Sequence, residues 1–238
     1  MSIAVIRSKG GLYTSKFIAT QPLLYFPLNE ANGTAAINRG NLGIASNGTY
    51  TGVDLANTAG PKTPFLAPYF DGVNDYVNIM SAALDTTYNG QLGTIACWYK
   101  MNDMSLWTDG VYHWFIRFDR ASALNKIQLL KRDVNNMLYW NYMANGVDTS
   151  ITDIAHADTS WHFMAMTWNL SADQMRAYLD GAQIGGTITG LGTWAAGNLD
   201  HANIGVQYLT PTYPHKGWLA HAALWDRVLS ATELLALS

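Results

Sequence analysis

Six histidines, one cysteine and two glutamates are the side chains best suited to metal ligation, nucleophilic attack or proton transfer in this chain. Their placement argues against each of these. His113, His156, His162, His201, His215 and His221 are scattered, with neither an H-x-x-x-H pair nor a Cys/His ligand pattern, and read as ordinary strand and loop residues. Cys97 lies in the apolar run Thr94-Ile95-Ala96-Cys97-Trp98-Tyr99-Lys100. That setting makes it a small buried hydrophobe rather than a reactive thiol, and a lone cysteine forms no internal disulfide. Glycoside hydrolysis needs two carboxyl groups about 5 to 10 Å apart across the scissile bond; neither Glu30 nor Glu233 sits in a strand beside a second acid. The aromatic stretches hold more promise: Trp98-Tyr99, Trp107, Tyr112 to Trp114, and Tyr139-Trp140 with Tyr142. Alternate residues of a strand face opposite sides of its sheet, so Tyr112 and Trp114 share one face and His113 takes the other. One aromatic set fills a core; the other is available to stack on a sugar ring or a neighbouring subunit. Tyr112, Trp114, Tyr139 and Tyr142 are the candidates for that contact.

Composition narrows the function classes. The chain has 238 residues, 49% of them hydrophobic and 13% charged, with 21 Gly, 9 Trp and 13 Tyr. Charged residues usually make up roughly 25%, so the surface is built from Asn, Thr, Ser, Gln and Gly, which suits a protein packed against neighbours. The net charge is −3 and the longest basic run is Lys131-Arg132, which excludes phosphate tracking along nucleic acid. No stretch approaches the ~20 apolar residues of a membrane helix. Arg7 and Lys9 interrupt the N-terminal apolar residues early, so no secretory signal is expected and synthesis in a cytoplasm is.

The elements that must position these residues are mostly strands. Trp161 to Gly185 alternates Met164, Met166, Trp168 with Phe163, Ala165, Thr167, a period of two that marks a strand. It turns at Asn169 to Asp173, alternates again through Met175, Ala177, Leu179, and reaches Asp180-Gly181, the dipeptide a type I′ hairpin turn asks for. Further strands are expected at Leu23 to Leu28, Asn47 to Gly52, Tyr69 to Ile79 around an Asp-Gly turn, Leu92 to Lys100, Tyr112 to Phe118, Lys126 to Lys131, Met137 to Met143, His201 to Tyr208 and Gly217 to Trp225. Such spacing suits a sandwich. Ala35 to Pro68 reads as mostly loop, and Ser230-Ala231-Thr232-Glu233 as a capping box opening a short helix. The expected organisation is an N-terminal arm over residues 1–20 and one β-sandwich over 21–238. The arm is either frayed or docked on a neighbouring subunit through Ile3, Val5, Leu12, Tyr13 and Phe17, which are too apolar to remain comfortably solvated.

Five pieces in order carry a resemblance: Leu23 to Gly33, Tyr69 to Val77 (YFDGVNDYV), Gly93 to Lys100 (GTIACWYK), Trp161 to Gly185, and Gly217 to Glu233 (GWLAHAALWDRVLSATE). The set resembles the laminin-G-like, concanavalin A-like lectin jelly-roll superfamily. It is also similar to members of that family encoded among the structural genes of tailed bacteriophages. The resemblance implies an all-β, two-sheet antiparallel jelly-roll sandwich with a short C-terminal helix. It implies a calcium ion, or no cofactor at all, with Asp71, Asn74 and Asp75 supplying hard oxygens from one loop. The E-x-D-x-x-E strand signature of the family's glucanase branch is absent. The leading expectation is therefore a non-enzymatic virion structural protein, a capsid decoration or tail component at the virion surface. It would self-associate and bind other virion proteins, but neither nucleic acid nor membrane. The alternative is a carbohydrate-binding adhesin module recognising host-surface glycans.

Overall fold

A computed structural model describes residues 9–62, 66–134, 136–153 and 157–238. In chain order the elements are α1 (Lys9–Ala19), β1 (Leu24–Phe26), β2 (Ala35–Ala36), β3 (Gly48–Thr51), β4 (Asp54–Ala59), β5 (Leu66–Asp71), β6 (Tyr76–Asn78), α2 (Ala82–Thr87) and β7 (Leu92–Met101). They continue with β8 (His113–Arg120), β9 (Asn125–Lys131), β10 (Leu138–Ala144), β11 (Val147–Asp153), β12 (His162–Asn169), β13 (Gln174–Leu179), β14 (Ala182–Ile188), β15 (Leu199–Ile204), β16 (Lys216–Trp225) and α3 (Ala231–Leu237). Two eight-stranded antiparallel sheets result. The first runs β14-β13-β12-β7-β16-β5-β4 with β1 also on β16; the second runs β11-β10-β9-β8-β15-β6-β3-β2. Among the described residues no helix is long and apolar enough to cross a membrane.

The jelly-roll expectation holds, and its core follows from alternation. Ile95, Cys97 and Tyr99 of β7 with Met164, Met166 and Trp168 of β12 point inward from the first sheet. They meet Phe115 and Phe118 of β8, Ile127 and Leu129 of β9, and Trp140 and Tyr142 of β10 from the second. Cys97 is fully buried, and burial pushes its thiol well above the ordinary range. Asp180 (φ 50°) and Gly181 (φ 82°) form the expected turn between β13 and β14. The Ser230 side chain and Glu233 cap α3 reciprocally.

The N-terminal segment departs from the expected arm. Residues 9–19 form α1, which packs on the outer face of the chain's own first sheet. Phe17 is fully buried, its ring stacked on Tyr25 at 4.6 Å and 4°, and flanked by Phe163, His221 and Trp225. The Tyr13 hydroxyl donates to the Leu237 carbonyl of α3 and accepts the Trp98 indole N–H at 2.8 Å. The i, i+4 spacing of Tyr13 and Phe17 explains the helix: both project onto one face and bury there, leaving Leu12 half-exposed. Tyr13 and Phe17 therefore dock within the chain, while Ile3 and Val5 lie outside the described residues. With Leu234 and Leu237 of α3 beside it, α1 covers the part of the first sheet's outer face that carries Tyr25, Trp98, Phe163 and Trp225.

The stretch from 35 to 68 is also more ordered than a loop, holding β2, β3, β4 and the start of β5. β15 stops at Ile204 rather than Tyr208, because the chain leaves the sheet at Gly205 (φ 84°) to form a loop over the second sheet's outer face.

Candidate functional site

The outer face of the second sheet is lined by polar residues in register. Asn141 of β10 stands opposite Gln128 of β9, Gln128 opposite Arg117 of β8, Arg117 opposite Asn203 of β15, and Asn203 opposite Asn78 of β6. These five side chains form one row across the strands, since positions directly opposite share a face. A parallel row on one side runs Tyr139, Leu130, Trp114; the row on the other runs Asp148, Met143, Lys126, Asp119. Together they form a groove of about 370 Å³ lined by Tyr112, Trp114, Arg117, Lys126, Gln128, Leu130, Arg132, Tyr139, Asp148 and Gln207.

Hydrogen bonds fix the floor. Asn141 Oδ1 accepts from Gln128 Nε2 at 2.6 Å, and Asn141 Nδ2 donates to Asp148 Oδ1 and to the Thr149 carbonyl. Arg117 is nearly inaccessible and gives Nε and Nη2 to Asp119 Oδ2 at 2.8 and 2.6 Å. Its guanidinium lies between the rings of Trp114 (4.7 Å) and Tyr208 (4.6 Å), and Nη2 also donates to the Tyr208 hydroxyl at 3.1 Å. Burial pushes the Asp119 carboxyl up, with Arg117 opposing that shift. Among the described residues, Gln128 Oε1, Trp114 Nε1 and Asn203 Oδ1 have no hydrogen-bond partner. A buried polar group left unpaired is costly, so these atoms mark a face shaped for polar company. At one end Arg132 lies over the ring of Tyr139 at 5.0 Å, and Tyr112 packs edge-on to Tyr213 at 5.3 Å.

Three of the four aromatic candidates thus come together: Tyr112, Trp114 and Tyr139 line the groove. Tyr142 does not. It is fully buried in the core, stacks near Trp168 and Trp194, and donates its hydroxyl to the Gly90 carbonyl at 3.2 Å. The reason is parity: 139 and 142 differ by an odd number, so one strand cannot present both on one face. Arg117, Lys126, Gln128, Asp148 and the loop residues Gln207 and Tyr208 were not singled out in the sequence. The pattern His-Trp-Phe-Ile-Arg-Phe-Asp-Arg, with charges at 117 and 119 alternating against Phe118, is the signal that marks them.

The loop carboxylates have other employment. Asp75 Oδ2 accepts the Asp71 backbone N–H at 2.8 Å, and Asp71 Oδ1 accepts those of Val73 and Asn74. These are turn-forming bonds, and burial raises the Asp75 carboxyl above its ordinary range. Among the described residues no three His, Cys, Asp or Glu side chains converge as metal ligands. Asp71, Asn74 and Asp75 share one turn, in which Asp71 and Asp75 each accept backbone N–H groups through one carboxylate oxygen. The glutamates are similarly engaged: Glu30 accepts from the Tyr50 hydroxyl and the Ile37 N–H, and Glu233 caps α3 and pairs with Arg227 at 2.7 Å. Asp148 in the groove wall and the buried Asp119 stand three strands apart, about 14 Å at the usual strand spacing. That exceeds the separation of a glycosidase pair.

Two antiparallel sheets packed as a sandwich with a short C-terminal helix are the architecture of a jelly roll. Residues 70–235 match the family model for the concanavalin A-like lectin/glucanases superfamily, and the chain belongs to that family. No curated protein matches the chain by sequence. Among solved structures, it is similar to the binding domain of botulinum neurotoxin serotype D, with TM-score 0.65, 14% identity, and coverage of 90% of this chain and 50% of that one. A Trypanosoma rangeli sialidase in complex with sialic acid gives TM-score 0.66 at 13% identity, covering 92% of this chain and 32% of that one. Domain 4 of AbnA, an extracellular GH43 arabinanase from Geobacillus stearothermophilus, in complex with arabinotriose, gives 0.59 at 15%, covering 91% of this chain and 98% of the domain. The chain spans about half the length of the neurotoxin binding domains it resembles. At these identities the likeness is one of fold.

Proposed function

We propose that this chain is a carbohydrate-binding module whose ligand lies in the groove on the second sheet. The observation that carries the reading is the combination there of an in-register row of amide and guanidinium side chains with half-exposed Tyr112 and Tyr139. Sugars offer hydroxyls to polar groups and an apolar ring face to aromatic ones. The family and the arabinotriose-bound neighbour support this alternative over the virion role, for which the similarities offer nothing. The site binds rather than cleaves, because its two carboxylates are spent on Arg117 and Asn141 and stand too far apart.

A glycan array followed by calorimetry on the positive glycans tests this. Tyr139→Ala should weaken binding at least tenfold with an unchanged melting temperature, since Tyr139 is only partly buried. An array without a positive glycan, or binding indifferent to both Tyr139→Ala and Gln128→Ala, would remove the groove from consideration.

A further inference from the structure

The groove has an electrostatic corner that a neutral sugar does not explain. One edge of the Arg117 guanidinium is given to Asp119, and the rings of Trp114 and Tyr208 lie 4.7 and 4.6 Å from its centre. Nη1, with its two N–H groups, makes no hydrogen bond among the described residues, and Arg117, though its side chain is only 1% exposed, lines the groove. Lys126 is the next outward position along β9 from Gln128 and stands opposite Asp119. Its ammonium lines the same groove and makes no hydrogen bond or ion pair among the described residues. Asp119 neutralises one of the two cations, so the corner retains about one positive charge on a chain whose net charge is −3. The acid in the groove wall, Asp148, lies two strands away from Lys126 and accepts from Asn141. A guanidinium locked on three sides loses little freedom when it binds, and its planar donors suit a carboxylate.

We infer that the ligand is an acidic glycan, and that a sugar carboxylate sits between Arg117 Nη1 and Lys126 Nζ. The inference rests on the glycan reading and specifies its substrate class. The two carboxylate oxygens take one donor each, the sugar ring extends towards Tyr139 and Tyr112, and its hydroxyls face Gln128.

The test uses matched polymers that differ only at the carboxyl group: homogalacturonan, polyglucuronate and polymannuronate, each beside its carboxyl-reduced counterpart, with a sulfated galactan as a further arm. At least one acidic member should bind ten times or more tighter than its reduced partner at 50 mM salt, the gap narrowing at 0.5 M as screening grows. Lys126→Gln should remove most of that preference, weakening the acidic member several-fold more than its reduced partner. Equal binding within every pair, or a preference for sulfate over carboxylate, would overturn the inference. So would Lys126→Gln weakening both members alike. If a neutral glycan binds and Tyr139→Ala abolishes that binding, the glycan reading survives and the acidic one falls; if neither these polymers nor any array glycan binds, both fall.

Discussion

Replacing Phe17 with Ala tests whether α1 is an integral layer of the domain. Phe17 is fully buried between Tyr25, Phe163, His221 and Trp225. An aromatic side chain of this size removes at least ~150 Å² from water, and at about 25 cal/mol per Å² that approaches ~4 kcal/mol. Measured Phe-to-Ala costs in cores run to about 3–5 kcal/mol. For a chain of this length each kcal/mol lowers the melting temperature by roughly 2–4 °C, so a fall of about 8–16 °C is expected by scanning fluorimetry or calorimetry. Leu12→Ala on the exposed side of the same helix should shift it by less than about 2 °C, as surface changes usually stay within ~0.5 kcal/mol. Hydrogen exchange over residues 12–20 should show protection in the wild type that Phe17→Ala removes. A Phe17→Ala melting temperature within about 1 °C of wild type, with residues 12–20 unprotected in both proteins, would refute the docking of α1 on its own sheet.

Trp168→Ala should cost about 3–5 kcal/mol, because the ring is fully buried and its indole N–H donates to the Gly90 carbonyl at 2.9 Å; urea denaturation measures it. Asp119→Ala strands the buried Arg117 guanidinium without its counter-charge, a loss of roughly 3–5 kcal/mol, and a double change with Arg117→Met should recover part of it in the same assay. His162 supplies a pH signature: burial disfavours its charge, but Asp180 at 2.7 Å and Asp158 at 3.1 Å outweigh this and raise its pKa. A pKa raised by folding stabilises most below the unfolded value of about 6.5 and ceases to do so as pH rises through the folded value. The stability gap between wild type and His162→Gln should therefore be widest near pH 5.5 and shrink towards pH 9; a gap independent of pH would deny the charged pair. Adding millimolar calcium or a chelator should move the melting temperature by less than about 1 °C, because Asp71 and Asp75 already serve as backbone acceptors.

The parts of the fold legible in the sequence are those whose signals are local. Asp180-Gly181 sets a turn by backbone conformation alone, Ser230 and Glu233 cap a helix they can reach, and Met164, Met166, Trp168 alternate regardless of what they pack against. α1 was harder because Gly10-Gly11 weakens helix propensity. Its stability comes from tertiary burial of Tyr13 and Phe17 rather than from its own residues. The polar edge strand β11, VDTSITD, carries too little apolar alternation to announce itself. The site was half legible. Period two separates the faces of β10 into Leu138-Trp140-Tyr142-Ala144 and Tyr139-Asn141-Met143, and the wholly apolar set is the inner one. That rule assigns Tyr142 to the core, but which strands stand beside β10, and hence the partnership of Asn141 with Gln128 and Arg117, depends on register across the sheet.

That register also bears on how the domain meets a partner. Anchoring to a neighbouring subunit through the N-terminal segment would require Tyr13 and Phe17 to leave the first sheet. Their departure would uncover Tyr25, Trp98, Phe163 and Trp225, all now buried beneath α1 and α3. Exposing that much aromatic surface costs several kcal/mol, which any new contact would first have to replace. Engagement through the groove on the second sheet carries no such cost: its guanidinium is already fixed by Asp119, and its amides are already oriented by Asn141 and Asp148. A preorganised surface binds without spending affinity on rearrangement. The proposed glycan contact therefore asks for none of the repacking that an N-terminal anchor would have to undo.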